Sequence, residues 1–545
     1  MSDDRHALST GQDAARFRWI IYLLLIFLSS GTMLARIMQV RSPSRSDPSP
    51  LLSANDRSRW CTIRALVDHG TYAIDNIMFK PDGSRNRAWH TIDAVKHRGA
   101  DGREHYYSSK PTLYTTLLAA PYWVIKNVSG ATLEKRTFDV VRTMLIIVNL
   151  LPLVLAMFIL ARLAEHWGTS HFDRIVVVAT FAFGTPLTTF VVTLNNHLPA
   201  AITLVFAIAA ARPMLEGKSA PLWRYFLAGL FAAATLANEL PALSFLVLLG
   251  AVLLLQDWKR TLLGYVPAIA IIAAGMFGTN LVAHGSWRTP YAHRSDGPLL
   301  ATIDSASQTD LDAQRVPAGL LQLASDHAAE PLKARTMILE REPARRWILW
   351  DFDTQQRFAL VMRDDGSAIE LRAWDNWYDY AGSYWTRERL EGVDRGEASR
   401  LVYFFHCTFG HHGLFSLAPI LLISAIGALL WLGNFNLQQR RLTSGLALST
   451  VLLTVVCLAF YISRPLIDRN YGGVCCCLRW MLWLAPLWML VMFPALARAE
   501  KKFSLVVVVL FLLAASVFSA QYATANPWSH PWIYDYWMQL GWIAH

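Results

Sequence analysis

The chain has 545 residues, 54% of them hydrophobic and 17% charged, where an average soluble domain carries about 25% charge. Apolar runs of about 20 residues recur, each long enough to cross a hydrocarbon layer of roughly 30 Å. That excludes a soluble protein, and runs so uniformly apolar exclude a barrel of alternating strands of about ten residues. The net charge of +10 sits beside 21 Trp, 18 Tyr and 26 Phe. This mix fits basic cytoplasmic loops and aromatic belts at the interfaces, and nothing in it points to nucleic acid. Six Cys are too few and too scattered for a disulfide framework.

The first apolar run, from Trp19 to Met38, is too long for a signal-peptide core and reads as a retained signal anchor. Spans are expected near 19–39, 139–162, 174–194, 197–213, 223–238, 240–256, 261–283, 413–433, 443–463, 479–498 and 503–521, about eleven in all. A polar loop, 40–138, follows the first of them. It carries Asp56, Arg57, Arg59, Arg64, Asp68 and His69, and closes with Tyr-Tyr-Ser-Ser before Lys110. The segment 111–127 opens on a proline, which is favourable in a first helical turn. It is short and amphipathic, so a helix lying in the interface is expected there.

With the amino terminus inside and 111–127 not spanning, Arg162, Arg174, Arg212, Lys218, Arg224, Lys259, Arg260, Arg440, Arg441, Arg498, Lys501 and Lys502 all fall on the cytoplasmic side. The connections near Asn195 and Glu239 and the tail after Tyr522 hold no Lys or Arg. This agrees with the positive-inside rule, and a spanning 111–127 would invert it throughout. One outside connection breaks the pattern: RPLIDRNYGGVCCCLR, with Arg464, Arg469 and Arg479. An anionic partner such as a lipid phosphate accounts for cations there. The alternative is pairing with head groups or protein carboxylates.

The stretch 284–411 reads as an extracytoplasmic α+β insertion. Its first half, GLLQLASDHAAEPLKARTMILE, has a helical pattern. Its second half reads as strands, RWILWDF, RFALVMR and AIELRAW, with the turn Asp364-Asp365-Gly366 between the last two, a good hairpin signal. The aromatic tract from Trp374 to Trp385 fits stacking on sugar rings or an interfacial belt. The fold class is therefore an all-α polytopic membrane protein with an interfacial helix and an α+β insertion. Its parts are an N-terminal membrane module over 1–283, the insertion, C-terminal helices over 412–521, and an outside tail over 522–545.

Ionisable groups at membrane depth cost about 2.5–3.5 kcal/mol each on insertion scales, so they tend to be paired or functional. A phosphate-linked substrate requires cations, and a nearby carboxylate can take a proton or orient a hydroxyl. Asp56 beside Arg57 and Arg59, with Lys110 later in the same loop, supplies both kinds of group. Asp56 reads as such a carboxylate or as the cap of the helix that follows. His406, His411 and His412 in FHCTFGHHG, with Cys407, do not match a familiar zinc spacing and read as structural, so no metal ligand is assigned. Cys475-Cys476-Cys477 reads as packing. Asn127-Val-Ser129 is a glycosylation sequon that matters only if the host modifies exported proteins.

The acidic residue soon after the first span, the Tyr-Ser-Ser-Lys-Pro-Thr-Leu entry to an interfacial helix, and Arg142 at the next span resemble the GT-C superfamily. The branch with protein O-mannosyltransferases and lipid A aminoarabinose transferases is the nearest pattern. Asn-Tyr-Gly-Gly followed by Arg479 and Pro486 is similar to a Tyr-Gly-Gly…Arg…Pro pattern of the same architecture. The resemblance covers the first third of the chain, part of the tenth span and almost none of the insertion. It departs at Thr112, where the family's second Pro stands, and at Leu-Asn-Asn-His-Leu-Pro, where related enzymes often carry a second acid.

The resemblance implies a glycosyltransferase that moves a sugar from a polyprenyl-phosphate donor to an outside hydroxyl on a glycan, lipid or protein. Asp56 would be its catalytic carboxylate. Lys110, Arg59, Arg464, Arg469 and Arg479 would bind the donor phosphate. Asn195, Asn196 and His197 would position sugar or acceptor, with Glu239 or Asp68 in the place of the second acid. No cofactor is assigned with certainty, and a divalent cation stays open. The partners would be the lipid-linked sugar, the acceptor and membrane lipid. The setting would be a bacterial inner membrane, amino terminus cytoplasmic, site and carboxyl terminus extracytoplasmic. Two other classes remain: a non-catalytic scaffold of the same architecture, and a transporter of lipid-linked substrates, which would show the inverted repeats that are not seen in this sequence.

Overall fold

The protein is described from a computed structural model, over residues 2–42, 48–328, 332, 337–342, 345–354, 356–386, 389–433 and 440–543. It divides into two compact units. The first comprises Met1–Ala94, His105–Trp287 and Arg387–His545, and the second Val95–Glu104 and Arg288–Thr386.

The first unit is helical. Each of the eleven expected apolar segments forms helix. Among the described residues, seven helices are long and apolar enough to cross a membrane, or eight if Arg479–Leu490 and Phe493–Ala499, bent by 53°, make one span. Leu240–Gln256 and Leu421–Leu432, two more of the eleven expected spans, form shorter apolar helices. Leu421–Leu432 is only about 18 Å long at 1.5 Å per residue, well below the thickness of the hydrocarbon layer. The segment expected in the interface forms the helix Thr112–Ser129, entered from Pro111 and closed by Gly130 in the left-handed conformation.

Polar side chains fix several helix pairs. Arg18 Nε and Nη2 each donate to Glu165 at 2.6 Å, and Tyr22 donates to the same carboxylate at 2.7 Å. This forked pair ties the first helix to the second long one. Within Thr137–Trp167 the ladder widens into a π turn at Ile146–Leu150, which Pro152 favours by removing a donor. The turn presents buried Asn149, whose amide donates to the carbonyls of Val191 and Thr193 at 2.9 Å each.

The tail after Tyr522 is folded. It forms the helix Trp532–Gln539 and buries Ile533 and Tyr534. The insertion expected over 284–411 ends earlier than the sequence suggests. From Arg387 the chain belongs to the first unit, because the Ser399-capped helix Arg400–Thr408 puts Tyr403 and Cys407 into its apolar core.

The second unit is built on five antiparallel strands in the order Arg294–Asp304, Ala368–Asn376, Arg357–Met362, Arg346–Asp351, Met337–Glu342. Gly366 takes the left-handed conformation in the expected Asp-Gly turn. Trp347, Leu349, Phe358, Leu360, Ile369 and Leu371 alternate inward and pack on Leu320 and Ala324 of the helix Ala318–Asp326. The helical expectation fails at Met-Ile-Leu-Glu, which is a strand. Leu339 points inward at the two-residue period of a sheet edge, and tertiary pairing overrides the local pattern. Residues 329–331 and 333–336 of that expected helix lie outside the described residues. The first loop adds an unforeseen hairpin, Ala94–Arg98 with Glu104–Ser108.

Candidate functional site

The helix Ala54–His69 starts at Ser53, whose hydroxyl accepts the Asp56 N–H at 3.0 Å. Ser53 is thus the cap, and Asp56 sits three residues inside it. The Asp56 carboxylate is fully buried. One oxygen accepts the Leu52 N–H at 3.1 Å, the other the Leu194 N–H at 3.0 Å. Burial pushes this carboxyl up to about 6, against the pull of the two amides, Arg59 and Arg57. Asp56 therefore joins the first loop to the connector at 193–197.

That connector is held from both ends. Asn149 grips its start. Asn195 Oδ1 accepts the Leu198 N–H at 2.8 Å, and its amide donates to the carbonyls of Phe190 and Thr193. Asn195 is a turn-maker. Asn196 and His197 face a polar cluster instead. Arg59 donates to Asn55 and, at 2.8 Å, to Asn196 Oδ1. Asn196 Nδ2 donates to Glu239 Oε1 at 2.7 Å and to the Asn238 carbonyl at 3.0 Å. His197 Nδ1 meets the same Glu239 oxygen.

Arg479 closes the cluster. Its Nη1 is 3.1 Å from His197 Nε2, and Nη2 donates to the Gly472 carbonyl at 2.6 Å. A guanidinium can only donate. His197 Nε2 is therefore the acceptor, and Nδ1–H donates to Glu239. Two cations thus bear on one carboxylate, Arg59 through an amide and Arg479 through an imidazole. Burial pushes the Glu239 carboxyl up to about 8, against the pull of Arg479 and Arg59. Gly472 is required here: its φ is +94°, and a Cβ would lie 2.2 Å from Arg479 Nε.

Lys110 is buried and pairs with Asp93 at 3.0 Å. Ser58, two residues after Asp56 in the same helix, stitches that pair in place. Its hydroxyl lies 2.6 Å from the Asp93 carbonyl and 2.6 Å from Ser108 Oγ. The Lys110 charge is also felt at the His197 ring. Of the residues singled out from sequence, Asp56, Arg59, Asn196, His197, Glu239 and Arg479 share this neighbourhood, with Lys110 beside it.

The others do not join the network. Asp68 lies twelve positions further along the helix from Asp56, about 18 Å at 1.5 Å per residue. It pairs with Lys126, Arg64 and Tyr122. Arg464 is bound to Asp468 at 2.5 Å, and Arg469 donates to the Ala398 carbonyl.

Four features were not picked out from sequence. Asn149 is one, and an Asn before a Pro inside an apolar span was a usable signal. Trp528 is another: its ring lies 4.7 Å from the Arg479 guanidinium and its indole donates to Thr193 Oγ1 at 3.1 Å. Tyr114 is the third. Its hydroxyl is buried without a hydrogen-bond partner among the described residues, near enough to Arg59 and Asp56 to feel both charges. The fourth is a cleft of about 690 Å³ whose lining includes Arg85, Arg87, Lys135, Arg136, Trp89 and Leu51. Leu51 adjoins Leu52, whose amide holds Asp56.

No protein-family model matches the chain, and no curated protein matches it. Among solved structures it is similar to the archaeal oligosaccharyltransferase AglB from Archaeoglobus fulgidus in complex with an inhibitory peptide and a dolichol-phosphate. The identity is 10% and the TM-score 0.42, over 93% of this chain and 56% of that one. The apo form of the Archaeoglobus fulgidus oligosaccharyltransferase is similar at 12% identity and TM-score 0.41, over 95% and 58%. The chain spans little more than half the length of these neighbours.

Proposed function

We propose that this protein is an integral-membrane glycosyltransferase of GT-C type, moving a sugar from a polyprenyl-phosphate donor to an extracytoplasmic hydroxyl. One observation carries the reading. Asp56, Arg59, Asn196, His197, Glu239 and Arg479, drawn from four separate connectors, join in one buried neighbourhood. The connectors are those assigned to the extracytoplasmic side by the charge pattern. Burying two guanidinium groups and two carboxylates costs several kcal/mol per ion unless pairing offsets it. A cluster of this cost fits a site that must hold a charged substrate away from bulk water.

In this reading Asp56 is the carboxylate that orients or deprotonates the acceptor hydroxyl. Glu239, not Asp68, takes the place of the second acid. Arg59, Arg479 and Lys110 stabilise the charge that grows on the departing lipid phosphate as the acceptor oxygen bonds to the anomeric carbon. The cationic cleft beside Leu51 leads the phosphate toward Asp56, and Tyr114 offers a hydroxyl to the sugar. A bacterial inner membrane is the proposed setting. A second reading, a non-catalytic scaffold, is favoured by the partners that Arg59 and Arg479 already have inside the protein.

The test is sugar transfer in proteoliposomes from radiolabelled polyprenyl-phosphate hexoses and pentoses. Wild type should transfer at least one sugar. Asp56→Asn should abolish turnover while the protein still inserts and retains the donor. A scaffold would be inactive throughout and indifferent to the substitution.

A further inference from the structure

Glu397, His406 and His411 lie in one short segment of the first unit. Each offers one ligand atom, and the three atoms lie within 4.8 Å of one another. Local structure explains the meeting. Ser399 caps the helix Arg400–Thr408, so Glu397 stands just before its start and His406 in its last turn. The N–H groups of Phe409 and Gly410 both reach back to the Phe405 carbonyl at 2.8 Å, and the chain turns over itself. The His411 ring then stacks on that of His406, with centroids 4.0 Å apart. Gly410 is needed for this turn, since a Cβ there would lie 2.4 Å from His406 Nδ1.

The hydrogen bonds set which nitrogens carry protons. His412 Nε2 is 3.1 Å from the Cys475 carbonyl, which can only accept. Nε2 therefore holds the His412 proton, and His412 Nδ1 is a lone pair. His411 Nδ1 lies 2.5 Å from it, so His411 donates from Nδ1 and keeps a lone pair on Nε2. Burial disfavours a second proton on either ring. The Glu397 carboxylate accepts from the Tyr471 hydroxyl at 2.9 Å, and His406 Nδ1 is buried without a hydrogen-bond partner among the described residues. A carboxylate and two neutral imidazoles thus converge, the outward nitrogen of His411 already bound. Ligating histidines are ordinarily oriented in this way.

We propose that Glu397, His406 and His411 form a structural binding site for one divalent cation of borderline softness, Zn²⁺ in the first place. Two imidazole nitrogens and one carboxylate oxygen suit that ion, at about 2.0–2.2 Å. Binding would turn the two stacked imidazoles toward a common point, with water at the fourth position. The site would fasten the 409–413 turn to Glu397. The Glu397 N–H in turn donates to the Arg469 carbonyl at 2.8 Å, and its side chain holds Tyr471. The next residue, Gly472, receives Arg479. The ion would therefore hold the loop that presents Arg479. Its binding does not depend on the sugar-transfer reading.

The full-length protein is purified in detergent and its metal content measured by mass spectrometry. It is then stripped with a chelator and titrated with Co²⁺ alone, followed by visible d–d absorption. About one Zn²⁺ per chain is expected, with a Co²⁺ spectrum of low-coordinate N/O ligation that Zn²⁺ abolishes. Glu397→Gln and His406→Gln should each weaken Co²⁺ at least about tenfold, while His530→Gln, outside the ligand set, leaves it unchanged. Stripped wild type that yields no such spectrum overturns the site. So does Co²⁺ affinity that survives both ligand substitutions. Because the wild-type titration decides by itself, misfolding of a variant does not rescue the proposal.

Discussion

His197 donates from Nδ1 to Glu239, and the direction of that hydrogen bond is dictated by Arg479 on the far side of the ring. The two residues lie on successive connectors, 42 positions apart, and neither is explained by packing. Asn196 adds a second donor to the same carboxyl oxygen, so the Glu239 carboxyl is coupled to two arginines through neutral intermediaries.

That coupling has a pH signature. Burial raises the Glu239 carboxyl from 4.5 to about 8, so the folded protein keeps a proton that the unfolded chain has lost. Stability should therefore fall as pH rises from about 4.5 to about 8. Glu239→Gln should flatten that slope in detergent, read as Tm against pH. An unchanged slope would show that the proton sits elsewhere.

Asp56 is a structural acceptor as well as the proposed catalytic carboxylate. Asp56→Ala leaves the Leu52 and Leu194 amides without their acceptor, at about 1–3 kcal/mol each. Asp56→Asn keeps one carbonyl oxygen. Tm should drop clearly in the alanine variant and less in the asparagine variant, while sugar transfer is lost in both. Equal Tm values for the two would contradict the clamp.

Tyr114 separates activity from stability. Its hydroxyl has no hydrogen-bond partner among the described residues, so Tyr114→Phe should leave Tm unchanged or slightly raised. The ratio kcat/KM for transfer should fall about tenfold, in line with one lost hydrogen bond to substrate. A variant as active as wild type would remove Tyr114 from the site.

The cleft beside Leu51 should act through charge. Arg85→Glu combined with Lys135→Glu should raise KM for the lipid-phosphate donor with little change in kcat, and the loss should shrink at high salt. A kcat effect without a KM effect would place these cations elsewhere in the reaction.

The membrane class, the helix after Lys110 and the three strands around Gly366 were legible in the sequence, because each rests on a local period or a turn residue. Arg479 was legible as a cation that topology does not explain, and Asp56 and Arg59 as charges in a polar loop beside the first span. Their partners were not. Asn149 reaches the 193–197 connector from another helix, and Trp528 comes back from the tail to cover Arg479. Contacts across such separations leave no periodicity to read. The strand Met337–Glu342 was misread for a related reason, since its pairing with Arg346–Asp351 outweighs a local helical pattern. Glu397 escaped notice because a ligand nine residues before His406 matches no short metal motif.

The most direct test is a structure in lipid nanodiscs with a non-transferable polyprenyl-phosphonate sugar. The account predicts phosphonate oxygens within about 3 Å of Arg59, Arg479 or Lys110, and the anomeric carbon facing Asp56 or Glu239. A lipid seated elsewhere, with the bonds among Arg59, Asn196, Glu239, His197 and Arg479 undisturbed, would contradict it.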